Sequence, residues 1–393
     1  MNAPASSWVL LALAALGLLA TVTALVRADR LGWGNTFWFL WGWLTSELAL
    51  FHVLASALTA TAFALATDAL RFTPGRTALG LMIASWAGLL LVQWRTRPTG
   101  RILEDALQAG LGAGYREHIP PARRSMLRDA VPWRELATPF ALRQPGVEWI
   151  HGGAWMLGNK HEQGLPLVYH LAARGWVVVT PNYRLSPKAR FPDHLVDCKR
   201  VLAWVRRNIA DYGGDPDFIA VTGGSAGGHL TALMALTAND PRLQPGFEAV
   251  DTRVAAAVPF YGVYDFTDRH GLKGSGASMV QWLEKTVMPC SPRQDPQLWD
   301  LASPITLARR DAPPFFILHG THDSLASVEE ARHFAERLRA VSTQPVVYAE
   351  FPGAQHAWDI FRSVRAMESV QAVTRFLEWA RADRASVATG IQC

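Results

Sequence analysis

The sequence predicts an α/β fold with a mostly parallel sheet flanked by helices, preceded by a bundle of transmembrane helices. Three observations carry that expectation. From Val147 onward, short apolar runs alternate with stretches of helical spacing, the pattern of a buried parallel sheet. One such run, Phe218 to Val221, leads into Gly223-Gly224-Ser225-Ala226-Gly227 and then a helical stretch from Gly228, so a serine stands on a sharp strand-to-helix turn. Upstream, the first hundred residues hold apolar stretches long enough to cross a bilayer core.

Taken in chain order, residues 1–97 read as a membrane region with about three transmembrane helices, at 8–26, 36–66 and 78–94. Trp8 to Val26 carries no charge, and Arg27 and Arg30 flank it as an anchor. Residues 1–7 lack Lys and Arg, and no small-residue cleavage site follows, which argues against a secretory signal peptide. The second stretch starts with Trp38, Trp41 and Trp43, as in an interfacial aromatic belt. Glu47 and His52 interrupt it, and Glu47 is expected near an interface or paired within the helix bundle. Two Arg after the second helix stand against five after the first and third. That split favours an outer N-terminus and a cytoplasmic α/β domain in a multi-pass cell-membrane protein.

Residues 98–145 form a basic, Pro-rich linker containing Pro120, Pro121, Arg123 and Arg124. Val147 to Ile150 and Trp176 to Thr180 read as strands, and Asp193 to Ile209 has helical apolar spacing. Strands then follow the serine turn at 254–260, at 315–318 and at 345–351. The insertion 262–313 is a candidate small lid, with Met279, Val280, Trp282 and Leu283 on an amphipathic stretch. The domain expected at 146–383 leaves a tail at 384–393.

A serine hydroxyl needs a base, a group to orient that base, and donors aimed at the oxyanion formed on attack. Ser225 is the nucleophile on an elbow of the G-x-S-x-G kind. His151-Gly152-Gly153-Ala154-Trp155 follows a strand and suits an oxyanion loop. Gly152, Gly153 and the N–H of Ala226 are its expected donors. Asp323 lies in the polar loop after the strand at 315–318 and is the expected acid, with Asp265 as its competitor. His356, in Pro352-Gly353-Ala354-Gln355-His356, is the expected base, with His319, His322 and His229 as alternatives. Trp155, Met156 and Tyr183 suggest an apolar acyl slot.

Together the HGGAW loop, the NYRLSP segment Asn182 to Pro187, GGSAGG, the GTHD loop and GAQHAW resemble the hormone-sensitive-lipase-type esterases. They are most similar to membrane-associated carboxylesterases of mycobacteria and related actinobacteria. The resemblance spans roughly residues 146–380. It implies an α/β-hydrolase fold and cofactor-free ester hydrolysis through an acyl-enzyme. By motif it assigns Ser225 as nucleophile, Asp323 as acid, His356 as base, and Gly152 and Gly153 as oxyanion donors. The chain departs from the pattern at Gly224, where many relatives carry Asp, and at Ala154, which replaces a third Gly. Relatives also have more strand before the HGG loop. Here Trp133 to Gly146 is short and holds Pro139 and Pro145, so the front edge of the sheet reads as abbreviated.

The chain has 393 residues and a formal net charge of +5, much of it Arg beside the apolar stretches, which suits anionic lipid head groups. No basic-aromatic pattern points to nucleic acid. Cys198, Cys290 and Cys393 are odd in number and widely spaced, giving neither a disulfide framework nor metal-ligand spacing. The expected partners are a small-molecule or lipid ester and the membrane, with no metal and no cofactor. The leading function is a membrane-anchored serine carboxylesterase or lipase. An amidase or peptidase on the same three residues is the first alternative, and a catalytically impaired hydrolase-like membrane module the second.

Overall fold

The computed structural model describes residues 3–27, 34–128, 130–139, 150–272 and 276–389. The N-terminal region contains α1 (Ala5–Leu25), α2 (Gly34–Glu47), α3 (Ala49–Ala66) and α4 (Thr73–Trp94). α1, α3 and the helical stretch containing α4 are long and apolar enough to cross a membrane. The stretch 36–66, expected as one span, divides at Leu48, which leaves helical geometry with ψ 28°. α2 alone has 14 residues, about 21 Å at 1.5 Å per residue, too short to cross the hydrocarbon core.

α1 and α4 pack along their length through small residues. Thr21 Oγ1 and Ser85 Oγ share a hydrogen bond of 2.7 Å, and Ser7 Oγ donates to Ala69 O at 3.0 Å. A Cβ on Gly88 would lie 2.5 Å from Thr21 Cγ2. Close approach with interhelical hydrogen bonds is how apolar helices associate without a hydrophobic drive between them. The Ser7–Ala69 contact marks the end of the bundle away from the catalytic region. At the other end, Arg27 pairs with Glu329 at 3.4 Å.

The catalytic region is built on four parallel strands, β1 (Ala220–Gly224), β2 (Ala256–Phe260), β3 (Phe315–Gly320) and β4 (Val346–Phe351), in that spatial order. β2 and β3 are buried at every position, as a sheet covered on both faces requires. One face packs on α5 (Asp193–Asn208) and α6 (Ala226–Leu236) with the insertion. The other packs on Thr99–Leu111 and α7 (Val364–Thr389).

The expected strand at Val147 to Ile150 falls mostly outside the described residues; Ile150 makes an isolated parallel bridge to Gly223. Trp176 to Thr180 has no strand geometry, and no ladder partner for it stands among the described residues. The stretch expected as linker opens with the helix Thr99–Leu111, whose Leu103 and Leu107 are fully buried in the core. The insertion is also built in: Leu283, Val287 and Met288 are buried with Trp299 in the cluster that holds Trp155.

Candidate active site

The carboxyl ends of β1, β3 and β4 meet at one edge of the sheet, where open α/β sheets place their ligands. Ser225 follows β1 with φ 58° and ψ −121°, a conformation that L-residues adopt only where the surroundings enforce it. Its N–H donates to Phe260 O at 3.0 Å, and its carbonyl accepts from His229 N at 2.9 Å. The turn is this tight because Gly227 lets the chain at Ile150 pass: a Cβ there would meet Ile150 O at 2.0 Å.

Ser225, His356 and Asp323 form one hydrogen-bonded chain. His356 Nε2 lies 2.8 Å from Ser225 Oγ, and His356 Nδ1 lies 2.6 Å from Asp323 Oδ2. Asp323 Oδ1 accepts from Leu325 N at 2.9 Å and Ala326 N at 2.8 Å. Burial alone would push this carboxyl up, but His356 and the hydrogen bonds from His319 and His356 hold it below the usual carboxylate range. Gln355 Oε1 accepts from both Ser324 N at 2.7 Å and His356 N at 2.9 Å, tying the acid loop to the base loop.

The competing residues lie elsewhere. Asp265 accepts from Thr267 N at 3.0 Å and from Arg269 N at 2.8 Å, closing its own turn. His229 packs on α6 as expected, between Trp155 Nε1 at 3.2 Å and Ala302 O at 2.8 Å. His322 N donates to Ala354 O at 2.9 Å, and burial pushes its imidazole down. His319 stands nearer: its Nε2 is 3.3 Å from Asp323 Oδ2 and 3.1 Å from Ala326 O.

The loop after Ile150 stacks against the elbow. Gly152 is the close approach: a Cβ there would lie 2.9 Å from Ser225 Cβ and 2.9 Å from Gly224 O. Its N–H is already engaged, donating to Gln163 Oε1 at 2.7 Å. Gly153, Ala154 and Trp155 all have positive φ, at 109°, 53° and 58°, so the chain curls over the serine. Among the described residues, the N–H groups of Gly153, Ala154 and Ala226 have no acceptor.

Of the three residues expected to line an acyl slot, two brace this loop. Tyr183 is buried, donates its hydroxyl hydrogen to His151 O at 3.0 Å and stacks on the His151 ring with centroids 4.4 Å apart. Trp155 is buried against His229, Phe266 and Trp282. Met156 is half-buried.

Sequence reasoning missed Tyr261 and Asp359. Tyr261 packs on His356 with ring centroids 4.6 Å apart, and its hydroxyl donates to Asp359 Oδ1. Burial pushes the Asp359 carboxyl up to about 6. The position of Asp359, three residues after the expected base, was the only available signal. Tyr261 also explains the Gly224 departure: a Cβ at 224 would lie 2.6 Å from the Tyr261 hydroxyl oxygen. No cluster of His, Cys, Asp and Glu fit for a metal occurs among the described residues.

A parallel sheet with a strained serine turn at its carboxyl edge defines the class, an α/β-hydrolase. The BD-FAE family model matches residues 140–338. The probable carboxylic ester hydrolase LipM of Mycobacterium tuberculosis (strain ATCC 25618 / H37Rv) is 41% identical over 96% of this chain and 95% of its own. Esterase LipQ of the same strain is 44% identical over 71% of this chain and 69% of its own. Among solved structures, the apo form of Thermogutta terrifontis esterase 2 is similar at 26% identity over 63% of this chain and 84% of that one, with a TM-score of 0.47. The chain belongs to the hormone-sensitive-lipase-type esterases, serine hydrolases that act on carboxylic ester bonds.

Proposed function

We propose that this chain is a membrane-anchored serine carboxylesterase that hydrolyses small to medium acyl esters through an acyl-enzyme. The observation that carries the reading is the position of His356, within hydrogen-bond reach of both Ser225 Oγ and Asp323 Oδ2. Ser225 Oγ attacks the ester carbonyl carbon while His356 Nε2 takes its proton. The same nitrogen returns the proton to the departing alkoxide. It then deprotonates the water that attacks the acyl-enzyme, and Ser225 recovers a proton as the acid leaves. Asp323, held ionised, fixes the imidazole with its Nδ1–H toward the carboxylate and stabilises the imidazolium.

The oxyanion donors in this reading are the N–H groups of Gly153, Ala154 and Ala226. Gly152 contributes by its lack of a side chain beside Ser225, because its own N–H is engaged with Gln163. Such donors act in a site where they need no reorganisation as charge develops, each worth roughly 10²–10³ in kcat. In this reading α1, α3 and α4 each cross the membrane, so the N-terminus and the hydrolase region lie on opposite sides. The Arg distribution favours a hydrolase region on the cytoplasmic side of the cell membrane.

Fluorophosphonate labelling of the full-length chain tests the nucleophile. Wild type should label and Ser225→Ala should not; an unlabelled, folded wild type sinks the enzyme reading. A hydrolysis series from acetate to palmitate esters then sets the acyl preference.

A further inference from the structure

α2 shows three different faces. Gly42 lies against α1, where a Cβ would meet Thr23 O at 2.8 Å. Phe37, Leu40, Trp41 and Leu44 are exposed, one stripe at helical spacing. The third face turns toward the hydrolase region and reaches both loops that carry Asp323 and His356. Ser324, beside Asp323, donates its hydroxyl to Asn35 O at 3.2 Å. Trp43 Nε1 donates to Ala357 O at 2.8 Å, next to His356. The Phe39 ring stands edge-on to the His356 imidazole, with centroids 5.9 Å apart and planes at 81°. Trp43 backs it, stacking on Phe39 at 5.5 Å and on Phe361 at 5.0 Å.

The end of the helix is anchored by charge. Glu47, expected near an interface or within the bundle, instead pairs with Arg365 of the hydrolase region at 2.7 Å. Its second oxygen accepts from Ser363 Oγ at 2.7 Å. Both charged side chains are fully buried. Arg365 Nη2 also donates to Pro352 O at 2.9 Å, where the loop bearing His356 begins. One guanidinium thus joins the membrane region to the base loop. The break of the helix at Leu48 follows directly on this contact.

We propose that α2 is a positioning element of the active site, holding the His356 imidazole in line with Ser225 through Phe39 and Trp43, with Glu47–Arg365 as its anchor. The segment from Pro352 to Ser363 has no helix or strand of its own, so its geometry is set by packing: Gln355 and Tyr261 hold it from within the domain, and α2 holds it from the N-terminal side. α2 acts through His356 and touches no reacting atom. The proposal rests on Ser225, His356 and Asp323 forming the triad.

The test uses the full-length chain in detergent micelles with p-nitrophenyl butyrate. Wild type must turn over and Ser225→Ala must not, which settles the esterase reading before α2 is addressed. Phe39→Ala should then lower kcat about 10-fold with KM within about twofold, because a small misplacement of the base weakens only the chemical step. Phe39→Leu should restore most of kcat. Glu47→Gln, which keeps shape and an acceptor, should also lower kcat with little change in KM. Wild-type kcat in both Phe39→Ala and Glu47→Gln overturns the proposal. So does a kcat loss that merely follows a lowered melting midpoint and is equal in Phe39→Leu and Phe39→Ala.

Discussion

Tyr261 packs its ring 4.6 Å from the His356 imidazole while its hydroxyl donates to the buried Asp359. A second carboxyl therefore stands behind the imidazole, on the far side of a phenol from it. Burial raises Asp359 to about 6, the Tyr261 hydrogen bond and the His356 charge lower it, and the Glu47 charge raises it. An acid raised by folding binds its proton more tightly in the native state than in the unfolded one. Between the ordinary value near 3.8 and about 6, the native state holds more protons, so stability falls as pH rises. The loss amounts to about 3 kcal/mol across the window and is constant above it. Asp359→Asn removes it. Thermal melts from pH 4 to pH 8 should show wild type losing stability relative to Asp359→Asn between pH 4 and pH 6. Parallel curves would show that Asp359 does not titrate there.

Gln163 holds the first amide of the loop that covers the serine, with Oε1 2.7 Å from Gly152 N. Gln163→Ala leaves that N–H without its acceptor, a cost of roughly 1–3 kcal/mol where the group is desolvated. The curl through Gly153 and Ala154 then loses its lateral tie. A drop in kcat of about 10-fold on a short-chain ester is expected if the N–H groups of Gly153 and Ala154 on this curl are the proposed oxyanion donors. Gln163→Glu keeps an acceptor and should retain most activity. Gly152→Ala should be worse, by about 100-fold or more, because its Cβ is built 2.9 Å from Ser225 Cβ. Equal activity in Gln163→Ala and wild type would remove the loop from the catalytic machinery.

The candidate site residues legible in the sequence share one property: each stands in a loop directly after an apolar run. Ser225 follows β1, Asp323 follows β3 and His356 follows β4, and parallel pairing brings those ends together. The contribution of the N-terminal helices is not legible in the sequence. Glu47 reads as an ionisable residue in an apolar stretch, and its partner Arg365 lies 318 positions away. Nothing local ties them, and the same holds for Tyr261 and Asp359, 98 apart. Trp155 and Tyr183 read as pocket walls because they are aromatic and next to motifs. Their polar atoms instead have fixed partners beneath the loop. The reason for the Gly224 departure is likewise distant in sequence: Tyr261 fills the space a side chain would need.

Asp323 and Asp265 can be separated by experiment because their surroundings differ. Asp323 Oδ1 accepts two backbone N–H groups, from Leu325 and Ala326, and Oδ2 faces His356. In Asp323→Asn the amide oxygen is held by those two donors, so the NH2 group is presented to His356 Nδ1. The imidazole then carries its proton on Nε2 and cannot accept one from Ser225. Folding is retained while kcat should fall about 10³–10⁴-fold. Asp265 closes its own turn, through Thr267 and Arg269. Asp265→Ala should therefore lower the melting temperature, by a few degrees for roughly 1–3 kcal/mol, with kcat of the folded protein within about twofold of wild type. Measuring kcat on p-nitrophenyl butyrate beside a thermal melt for each variant decides the matter. Near-normal kcat in Asp323→Asn together with a collapse in Asp265→Ala would transfer the acid role to Asp265.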